Sequence, residues 1–334
     1  MTLLIPTVAD RTEAELIASI QAHLAPSPDW LAVGIGDDAA VVSPERNRLE
    51  VLTVDALVEG VHFDRRFVPP DAIGFRSLAV NLSDLAAMGA QPRLALLSMA
   101  LPATLPLCDF EAFAQGFAQL ANAQGVHLVG GNLTRTTGPM VIDVTAIGTV
   151  KPRGSLTRSG ARAGDEVYVT GSVGAAAAGL AALRNGSSDP VLRDCVARYL
   201  RPEPRLRTGT LLGRNHAASA CVDSSDGLAD AVHQLARASQ VGIAIDADAV
   251  PVEPAAREWF ERESVDVVTA AMTRGDDYEL VFTVHPRVRR RLRTIERQSR
   301  TPMTRIGVCT AQTDVVLRRG TVAEPLPPGY GHFR

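Results

Sequence analysis

The segment LAVNLSDLAAMGAQP (Leu78–Pro92) places a carboxylate inside an apolar helix. Two prolines stand before this helix and a glycine follows it, so the pattern predicts a helix over Asp71–Met88. Aspartate is a weak helix former, yet Asp84 stands among leucines and alanines. Its position is therefore poor for structure, which indicates a chemical role.

The same helix carries two adjacent stripes. Three leucines recur at i, i+4 and i+7 from Leu78, and Ser77, Asn81 and Asp84 repeat that spacing one residue earlier. In an ideal helix the two stripes are rotated by about 100°. A polar stripe beside the core face indicates a site more strongly than one on the outer face.

Further acidic residues stand in turns or at strand ends. They are Asp37 and Asp38 after G-I-G, Asp55 at the end of a strand over Val51–Val54, Asp223 and Asp226 in V-D-S-S-D-G, and Asp276 and Asp277 in R-G-D-D-Y-E-L. Each has a structural alternative, because such residues can cap a helix, close an Asx turn or end a strand. Together they favour a Mg²⁺ site, since clustered carboxylates repel one another without a cation.

Composition and motifs exclude several classes of protein. The 334 residues suffice for two domains, and the net charge of −3 offers no basic surface for nucleic acid. No apolar run reaches the roughly 18 residues of a membrane span, and no signal peptide is evident, so we expect a cytoplasmic protein. The only lysine, Lys151, precedes a proline, which excludes a lysine-centred phosphate loop. The cysteines and histidines lack the spacings of a disulfide framework or a transition-metal site.

Short apolar runs alternate with amphipathic stretches, as in α/β or α+β proteins. The Gly- and Arg-rich stretch at 151–164 predicts a boundary, with domains at 1–152 and 153–334. The run TGSVGAAAAG (Thr170–Gly179) reads as strand, turn and helix. It could present helix-start N–H groups to an anion, but its alanines favour a close-packed helix.

Eight segments, in chain order, resemble the thiamine-monophosphate kinase family. They are GIGDDAAVV (34–42), TVDALVEGVHF (53–63), LAVNLSDLAAMGAQP (78–92), LVGGNLTR (128–135), LTRSGARAGDEVYVTG (156–171), VDSSDGL (222–228), GDDYEL (275–280) and GYGHF (329–333). The resemblance covers nearly the whole chain. It implies the aminoimidazole-ribonucleotide-synthetase-like fold, with an N-terminal α/β domain that dimerises through its sheet and a C-terminal α+β domain. It also implies a homodimeric enzyme that uses ATP and Mg²⁺ to convert thiamine monophosphate to thiamine diphosphate.

The resemblance further implies roles for individual residues. Matching the family's magnesium ligands are Asp38, Asp55, Asp84, Asp223 and Asp226, with Thr53 beside the metals and nucleotide. Asp84 and Asp226 are the carboxylates expected to act in catalysis. Matching nucleotide contacts are Gly131, Arg158 and Ser225, and matching substrate contacts are His62 and Asp276. The acceptor phosphate is largely ionised at neutral pH, so we expect direct in-line transfer without a general base.

Three positions depart from the family pattern. Asn132 replaces the aspartate of G-G-D, although an amide oxygen can still coordinate Mg²⁺ or contact the nucleotide. Asp276 is shorter than the usual glutamate, and Pro327 stands where an aromatic substrate contact is usual. Tyr330 or Phe333 could supply that ring.

Two other functions stay open at this point. One is another enzyme of the superfamily, namely aminoimidazole-ribonucleotide synthetase, selenophosphate synthetase or the hydrogenase-maturation carbamoyl dehydratase. The wording of the motifs favours the thiamine enzyme over these. The other is a non-catalytic nucleotide-binding protein, for which the three departures leave room.

Overall fold

The computed structural model describes residues 5–331, which divide into two compact units. Unit 1 comprises residues 5–85 and 92–149, and unit 2 comprises residues 86–91 and 150–331. The short segment 86–91 packs with unit 2 through the Met88 carbonyl, which accepts the Leu156 N–H at 3.0 Å. In the described part of the chain, no helix is both long and apolar enough to cross a membrane.

Unit 1 is built on a four-stranded sheet. Its helices are α1 (Glu13–Gln21), α2 (Pro70–Ala87) and α3 (Leu107–Gln124), and its strands are β1 (Leu31–Val33), β2 (Val41–Val42), β3 (Leu49–Val58), β4 (Gln91–Pro102), β5 (His127–Thr136) and β6 (Val141–Val150). The sheet order is β3-β6-β4-β5, and β1 pairs with β2 in a separate antiparallel hairpin. Strands β4 and β5 are parallel and are joined through α3, a β–α–β connection.

The backbones of α2 and α3 approach closely at two glycines. A Cβ at Gly74 would lie 2.0 Å from the Phe113 carbonyl oxygen, and one at Gly116 would lie 1.9 Å from the Asp71 carbonyl oxygen. Phe113 is itself almost fully buried on α3. Glycine at both positions therefore allows the two helices to pack closely. This packing positions α2, which carries Asp84.

Unit 2 is built on a seven-stranded sheet of order β13-β12-β9-β11-β7-β10-β8. Its strands are β7 (Glu166–Thr170), β8 (Ala220–Asp223), β9 (Gly242–Asp246), β10 (Leu280–Val284), β11 (Met303–Thr310), β12 (Val315–Arg319) and β13 (Val322–Pro325). Its helices are α4 (Ala175–Arg184), α5 (Arg193–Leu200), α6 (Leu206–Arg214), α7 (Leu228–Ser239), α8 (Pro254–Arg262), α9 (Val267–Thr273) and α10 (Arg290–Ser299). The pairings are antiparallel except for β12 with β9.

One detail of the sequence interpretation is wrong. Asp55 does not end a strand, because β3 continues to Val58. Side chains of β3 alternate between half-buried positions, which include Thr53 and Asp55, and exposed positions such as Leu52 and Val54. Asp55 thus lies inside the strand, on the same face as Thr53.

Candidate functional site

In unit 1, β3 and α2 bring Thr53 and Asp84 together. The Thr53 hydroxyl donates a short hydrogen bond to Oδ2 of Asp84. Both side chains are half-buried, and Asp55 lies two residues further along the same face of β3. Two elements separated in sequence therefore present hard oxygen donors on neighbouring surfaces.

Asp84 lies in the last turn of α2, where the helix macrodipole disfavours a negative charge. One turn earlier, Asn81 is fully buried, and its Nδ2 donates to the Ser77 carbonyl at 3.1 Å. Its Oδ1 accepts no hydrogen bond within residues 5–331, although a buried unsatisfied acceptor costs about 1–3 kcal/mol. The polar stripe seen in the sequence is thus a costly arrangement at the end of α2, as expected of a site retained for chemistry.

His62 lies in the turn that follows β3. The Val58 N–H donates to its Nδ1 at 3.0 Å, so a neutral imidazole carries its proton on Nε2. The turn is also held by an ion pair between Arg65 and Glu59, whose Nε and Oε1 atoms are 2.8 Å apart. The structure therefore holds the His62 ring in this turn through its Nδ1 atom.

Gly131 and Asn132 lie on β5, at the far edge of the sheet from β3. A Cβ at Gly131 would lie 1.9 Å from the Leu97 carbonyl oxygen. The close approach of β4 to β5 therefore also requires glycine at this position. Three strand spacings separate β3 from β5, or about 14 Å. Within one copy of unit 1, Asn132 therefore does not join Thr53 and Asp55 around a single ion.

Asp38 is exposed in the loop between β1 and β2. Gly36 has a φ of +119°, which allows the turn, and the Asp38 N–H donates to Oδ1 of Asp37 at 2.8 Å. This contact joins adjacent residues and is not the Asx turn considered from the sequence, which reaches two residues on.

In unit 2, Asp223, Ser225 and Asp226 lie between the end of β8 and the start of α7. Asp223 is the last residue of β8 and is 5% exposed, whereas Ser225 and Asp226 are half-buried in the following turn. The N-cap residue of α7 is Gly227, without a side-chain cap bond, so Asp226 is not a capping residue.

Two further segments pack on this turn. The Asp276 N–H donates to the Ser225 carbonyl at 2.8 Å, and the Tyr330 N–H donates to the Asp226 carbonyl at 3.0 Å. A Cβ at Gly329 would lie 2.4 Å from that Asp226 carbonyl oxygen. The structure therefore assembles Asp276 and the C-terminal segment around Ser225 and Asp226.

Pro327 belongs to the same C-terminal segment and is half-buried. The carbonyl of the preceding Leu326 lies 3.1 Å from Nε2 of His233 on α7. Tyr330 is 52% exposed, which leaves its ring accessible to a ligand. Phe333, the other candidate for the missing ring, lies outside the described residues.

Arg158 lies at the other end of α7. Its carbonyl accepts the Ser239 hydroxyl at 3.1 Å, and the carbonyl of Thr157 accepts the Cys221 N–H at 2.8 Å. Twelve residues of helix, about 18 Å, separate Ser239 from the turn at Asp226. Arg158 is exposed, and its backbone is not part of that turn.

Two buried acids near this turn were not assigned a role from the sequence. Asp277 accepts the Gly174 N–H at 2.6 Å and the Ala176 N–H at 3.0 Å. Burial raises the pKa of Asp277 to about 7, although those two N–H bonds and the charge of Arg198 lower it. The sequence indicated a possible anion site at the start of α4. In the structure the anion at that helix start is the Asp277 carboxylate.

Glu279 is the second of these acids and is fully buried. It forms ion pairs with Arg198 at 2.7 Å and with Arg205 at 2.6 Å. The Thr170 hydroxyl donates to it at 2.6 Å. The GDDYEL segment therefore joins a half-buried residue of the candidate site, Asp276, to two buried anchors.

The donor chemistry of the predicted ligands fits Mg²⁺. Their side chains offer oxygen donors alone, which this ion prefers, and it commonly binds through one or two carboxylates, waters and substrate phosphates. In the described part of the chain, no group of three or more His, Cys, Asp and Glu side chains stands ready to hold an ion. The hydrogen-bonded Thr53 and Asp84, with Asp55 beside Thr53, form the part of a site that the structure brings together in unit 1.

The chain matches known proteins over nearly its whole length. The family models described as AIR synthase related protein, N-terminal domain and C-terminal domain, match residues 36–150 and 162–320. A curated thiamine-monophosphate kinase from Synechococcus elongatus is 40% identical over 258 residues, which are 75% of this chain and 77% of that protein.

Solved structures give the same result. The thiamine-monophosphate kinase from Stenotrophomonas maltophilia K279a has a TM-score of 0.82 and 38% identity, covering 92% of this chain and 96% of that one. The structure of AaThiL complexed with AMPPCP and TMP has a TM-score of 0.75 and 30% identity, covering 96% of this chain and 97% of that one. The two-part fold predicted from the resemblance is confirmed. Because the similarity extends through both domains and to proteins of one named activity, the chain belongs to the thiamine-monophosphate kinase family of the AIR synthase related proteins.

Proposed function

We propose that this protein transfers the γ-phosphoryl group of ATP to thiamine monophosphate and forms thiamine diphosphate. The observation that carries the proposal is the similarity across both domains to thiamine-monophosphate kinases, at 38% identity over 92% of the chain for one solved structure. A second similar structure is complexed with AMPPCP, an ATP analogue with a methylene bridge between the β and γ phosphates, and with TMP. The two ligands correspond to the donor and acceptor of the proposed reaction.

The chemistry of the acceptor limits what the protein must do. The second pKa of a phosphate monoester is about 6, so the attacking oxygen is already ionised at neutral pH. No side chain is needed as a general base, and transfer is direct and in line, without a phosphoenzyme. The residues have two tasks, which are to align two anionic substrates and to compensate their repulsion.

For the second task we propose Mg²⁺, held by side-chain oxygen donors. In unit 1 these are Thr53, Asp55 and Asp84, with Asp38 in the exposed loop; in unit 2 they are Asp223 and Asp226. When bound, Mg²⁺ screens the repulsion between the phosphates and stabilises the charge that develops on the transferring group. The Thr53 hydroxyl orients the Asp84 carboxylate for this role, which is what supports the assignment in unit 1.

The remaining predicted residues are proposed as substrate contacts. We propose that Ser225, Arg158, Gly131 and Asn132 contact the nucleotide, with Asn132 also coordinating Mg²⁺ through its amide oxygen. For the thiamine substrate we propose His62, Asp276 and the segment at Pro327. Support comes from the fixed position of the His62 ring after β3 and from the packing of the Asp276 loop on the turn at Ser225.

The first experiment measures ADP release by the purified protein with ATP, Mg²⁺ and thiamine monophosphate. A control lacks the thiamine compound, and ATP binding is measured on the same preparation. We expect release that requires both Mg²⁺ and thiamine monophosphate, with thiamine diphosphate as the product. ATP binding without such release would refute the kinase and favour a nucleotide-binding protein. Trapping of a phosphorylated protein in a single turnover would refute direct transfer.

We also propose a homodimer formed through the sheet of unit 1. On the face of β3 opposite Thr53 and Asp55, Leu52 is 65% exposed and Val54 is 58% exposed. Leu96 on β4 is also exposed. Exposed apolar side chains on a strand face are typical of an interface. Sedimentation equilibrium is expected to give twice the chain mass, and a monomer at micromolar concentration would refute the dimer.

The proposed substrates indicate where the protein acts. ATP and thiamine phosphates are small water-soluble molecules, and we propose a cytoplasmic location. The net charge of −3 gives no basic surface for nucleic acid, and we propose neither nucleic acid nor membrane as a partner.

A further inference from the structure

The loop Gly275–Glu279 is anchored at alternate residues. Asp277 and Glu279 are buried and bonded to distant parts of unit 2, whereas Asp276 between Gly275 and Asp277 is half-buried. The backbone N–H of Glu279 also donates to the Ser224 hydroxyl at 3.0 Å. The bonds of Asp277 and Glu279 therefore determine the position of Asp276.

Asp277 binds the beginning of α4. The first N–H groups of a helix have no partner within the helix, and the positive end of the macrodipole lies there. The N–H of Gly174, the N-cap residue, donates to Oδ2 of Asp277, and the N–H of Ala176 donates to Oδ1. One carboxylate thus satisfies two otherwise unpaired donors and uses both of its oxygens to do so.

The residues on either side of Asp277 have unusual backbone conformations. The φ angles are +75° for Asp276 and +52° for Tyr278. Both lie in the left-handed region that residues other than glycine seldom adopt. Such conformations persist where the surroundings over-determine them. The bonds of Asp277 and Glu279 supply that constraint.

The constrained loop sets both the backbone and the side chain of Asp276. Its N–H donates to the Ser225 carbonyl at 2.8 Å, and its Oδ1 accepts the Tyr278 hydroxyl at 3.3 Å. A Cβ at Gly275 would lie 2.2 Å from that same Ser225 carbonyl oxygen, so the loop sits directly on the turn. A shift of the loop would therefore move Asp276 relative to Ser225.

We propose that Asp277 is a positioning residue, which holds the left-handed loop against the start of α4 so that Asp276 keeps its place for the thiamine substrate. This inference rests on the proposed function, in which Asp276 contacts that substrate. Asp277 itself is buried and does not need to touch the substrate.

The test is Asp277→Asn, with KM and kcat measured for each substrate. The amide keeps the shape but turns one acceptor into a donor that faces a backbone N–H. We expect KM for thiamine monophosphate to rise about tenfold, the effect of losing one charged hydrogen bond, with kcat within about twofold of the parent. KM for ATP should stay unchanged. If Asp277→Asn does not fold, Asp277→Ser, which keeps one acceptor and is smaller, is measured instead.

Asp165→Asn is the matched control. Asp165 is equally buried and accepts the Arg162 N–H at 3.1 Å and the Ser219 hydroxyl at 2.7 Å. It lies before the first residue of β7, whereas Thr170 at the end of β7 contacts Glu279, about 16 Å away along the strand. The control should leave both KM values unchanged.

A double-mutant cycle with Asp276→Ala separates positioning from general destabilisation. If Asp277 acts through Asp276, Asp277→Asn adds nothing to KM for thiamine monophosphate once Asp276 is alanine. Full additivity, an equal rise in KM for ATP, or an unchanged KM in Asp277→Asn would each overturn the inference. Absence of turnover in the parent protein would instead overturn the proposed function.

Discussion

Replacing Glu279 by glutamine is expected to destabilise unit 2 more than any surface substitution. The carboxylate is fully buried and receives Nη2 of Arg198 at 2.7 Å, Nη2 and Nε of Arg205 at 2.6 and 2.8 Å, and the Thr170 hydroxyl at 2.6 Å. Glutamine fills the same volume but removes the negative charge and places an amide NH₂ among donors. Two guanidinium groups then lose their buried counter-charge.

The structure gives the size of the effect. Breaking a buried ion pair by removing one partner costs about 3–5 kcal/mol, because the remaining charge stays desolvated. The side chains of Arg198 and Arg205 are 26% and 11% exposed, so water compensates them only in part. With an m value of about 2–3 kcal/mol per molar urea, the midpoint should fall by about 1–2 M.

The assay is urea unfolding followed by the fluorescence of Trp259, which lies in unit 2. The chain has two tryptophans, so a Trp30→Phe background leaves Trp259 as the single reporter. Glu203→Gln is the matched control, since Glu203 pairs with the same Arg205 at 2.8 Å but is 76% exposed. That exposed pair should contribute less than about 1 kcal/mol. A similar shift for the two variants would refute the reasoning.

Other predictions follow from the candidate site. Asp84→Asn should reduce turnover by more than about a hundredfold without unfolding the protein, if Asp84 coordinates Mg²⁺; turnover near the parent value would make it structural. Thr53→Val should raise the Mg²⁺ concentration needed for half-maximal rate, since it removes the hydroxyl that orients Asp84. Asp277 has a pKa raised from 3.8 to about 7, so its proton favours the folded state below pH 3.8 and that contribution is lost as the pH rises through 7. Urea midpoints between pH 5 and 8 should fall more steeply for the parent than for Asp277→Asn. Leu52→Asp should give a monomer by sedimentation, because it places a charge on the exposed face of β3.

Much of the architecture could be predicted from the sequence because local signals were strong. The helix around Asp84, predicted over Asp71–Met88, was placed within one residue of its bounds at both ends. Leucine periodicity, flanking prolines and terminal glycines determine such elements locally. The acidic turn at Asp223–Asp226 was visible for the same reason, since V-D-S-S-D-G breaks an apolar strand.

The end of β3 was misplaced because an aspartate interrupts its apolar pattern. The apolar run stops at Val54, yet the strand continues to Val58 with Asp55 on the half-buried face. The backbone hydrogen bonds of a strand continue through a polar residue. The length of an apolar run therefore does not show where the strand ends. The opposite face of β3 is apolar and exposed, so burial and hydropathy disagree along this strand.

The order of strands in the sheet also could not be obtained from local patterns. Asp55 and Asn132 were both matched to magnesium ligands by the resemblance, but β3 and β5 occupy opposite edges of the sheet. Strand order depends on which crossovers the whole chain makes, and a motif carries no record of it. The distance between these two residues therefore could not be obtained from the motifs.

Asp276 and Asp277 show where sequence reasoning stops at the level of single residues. The two are identical neighbours, yet one is half-buried on the turn at Ser225 and the other is buried against α4. The alternation of buried and exposed side chains along a strand cannot predict which of the two is buried. Positive φ angles at Asp276 and Tyr278 interrupt the regular backbone that this alternation requires. The deciding partners are the N–H groups of Gly174 and Ala176, 103 and 101 residues away in sequence. Those groups belong to a helix start that requires an acceptor, so turning Asp277 away from α4 would leave two buried donors unpaired. The burial of Asp277 is therefore determined by a contact that no local pattern shows.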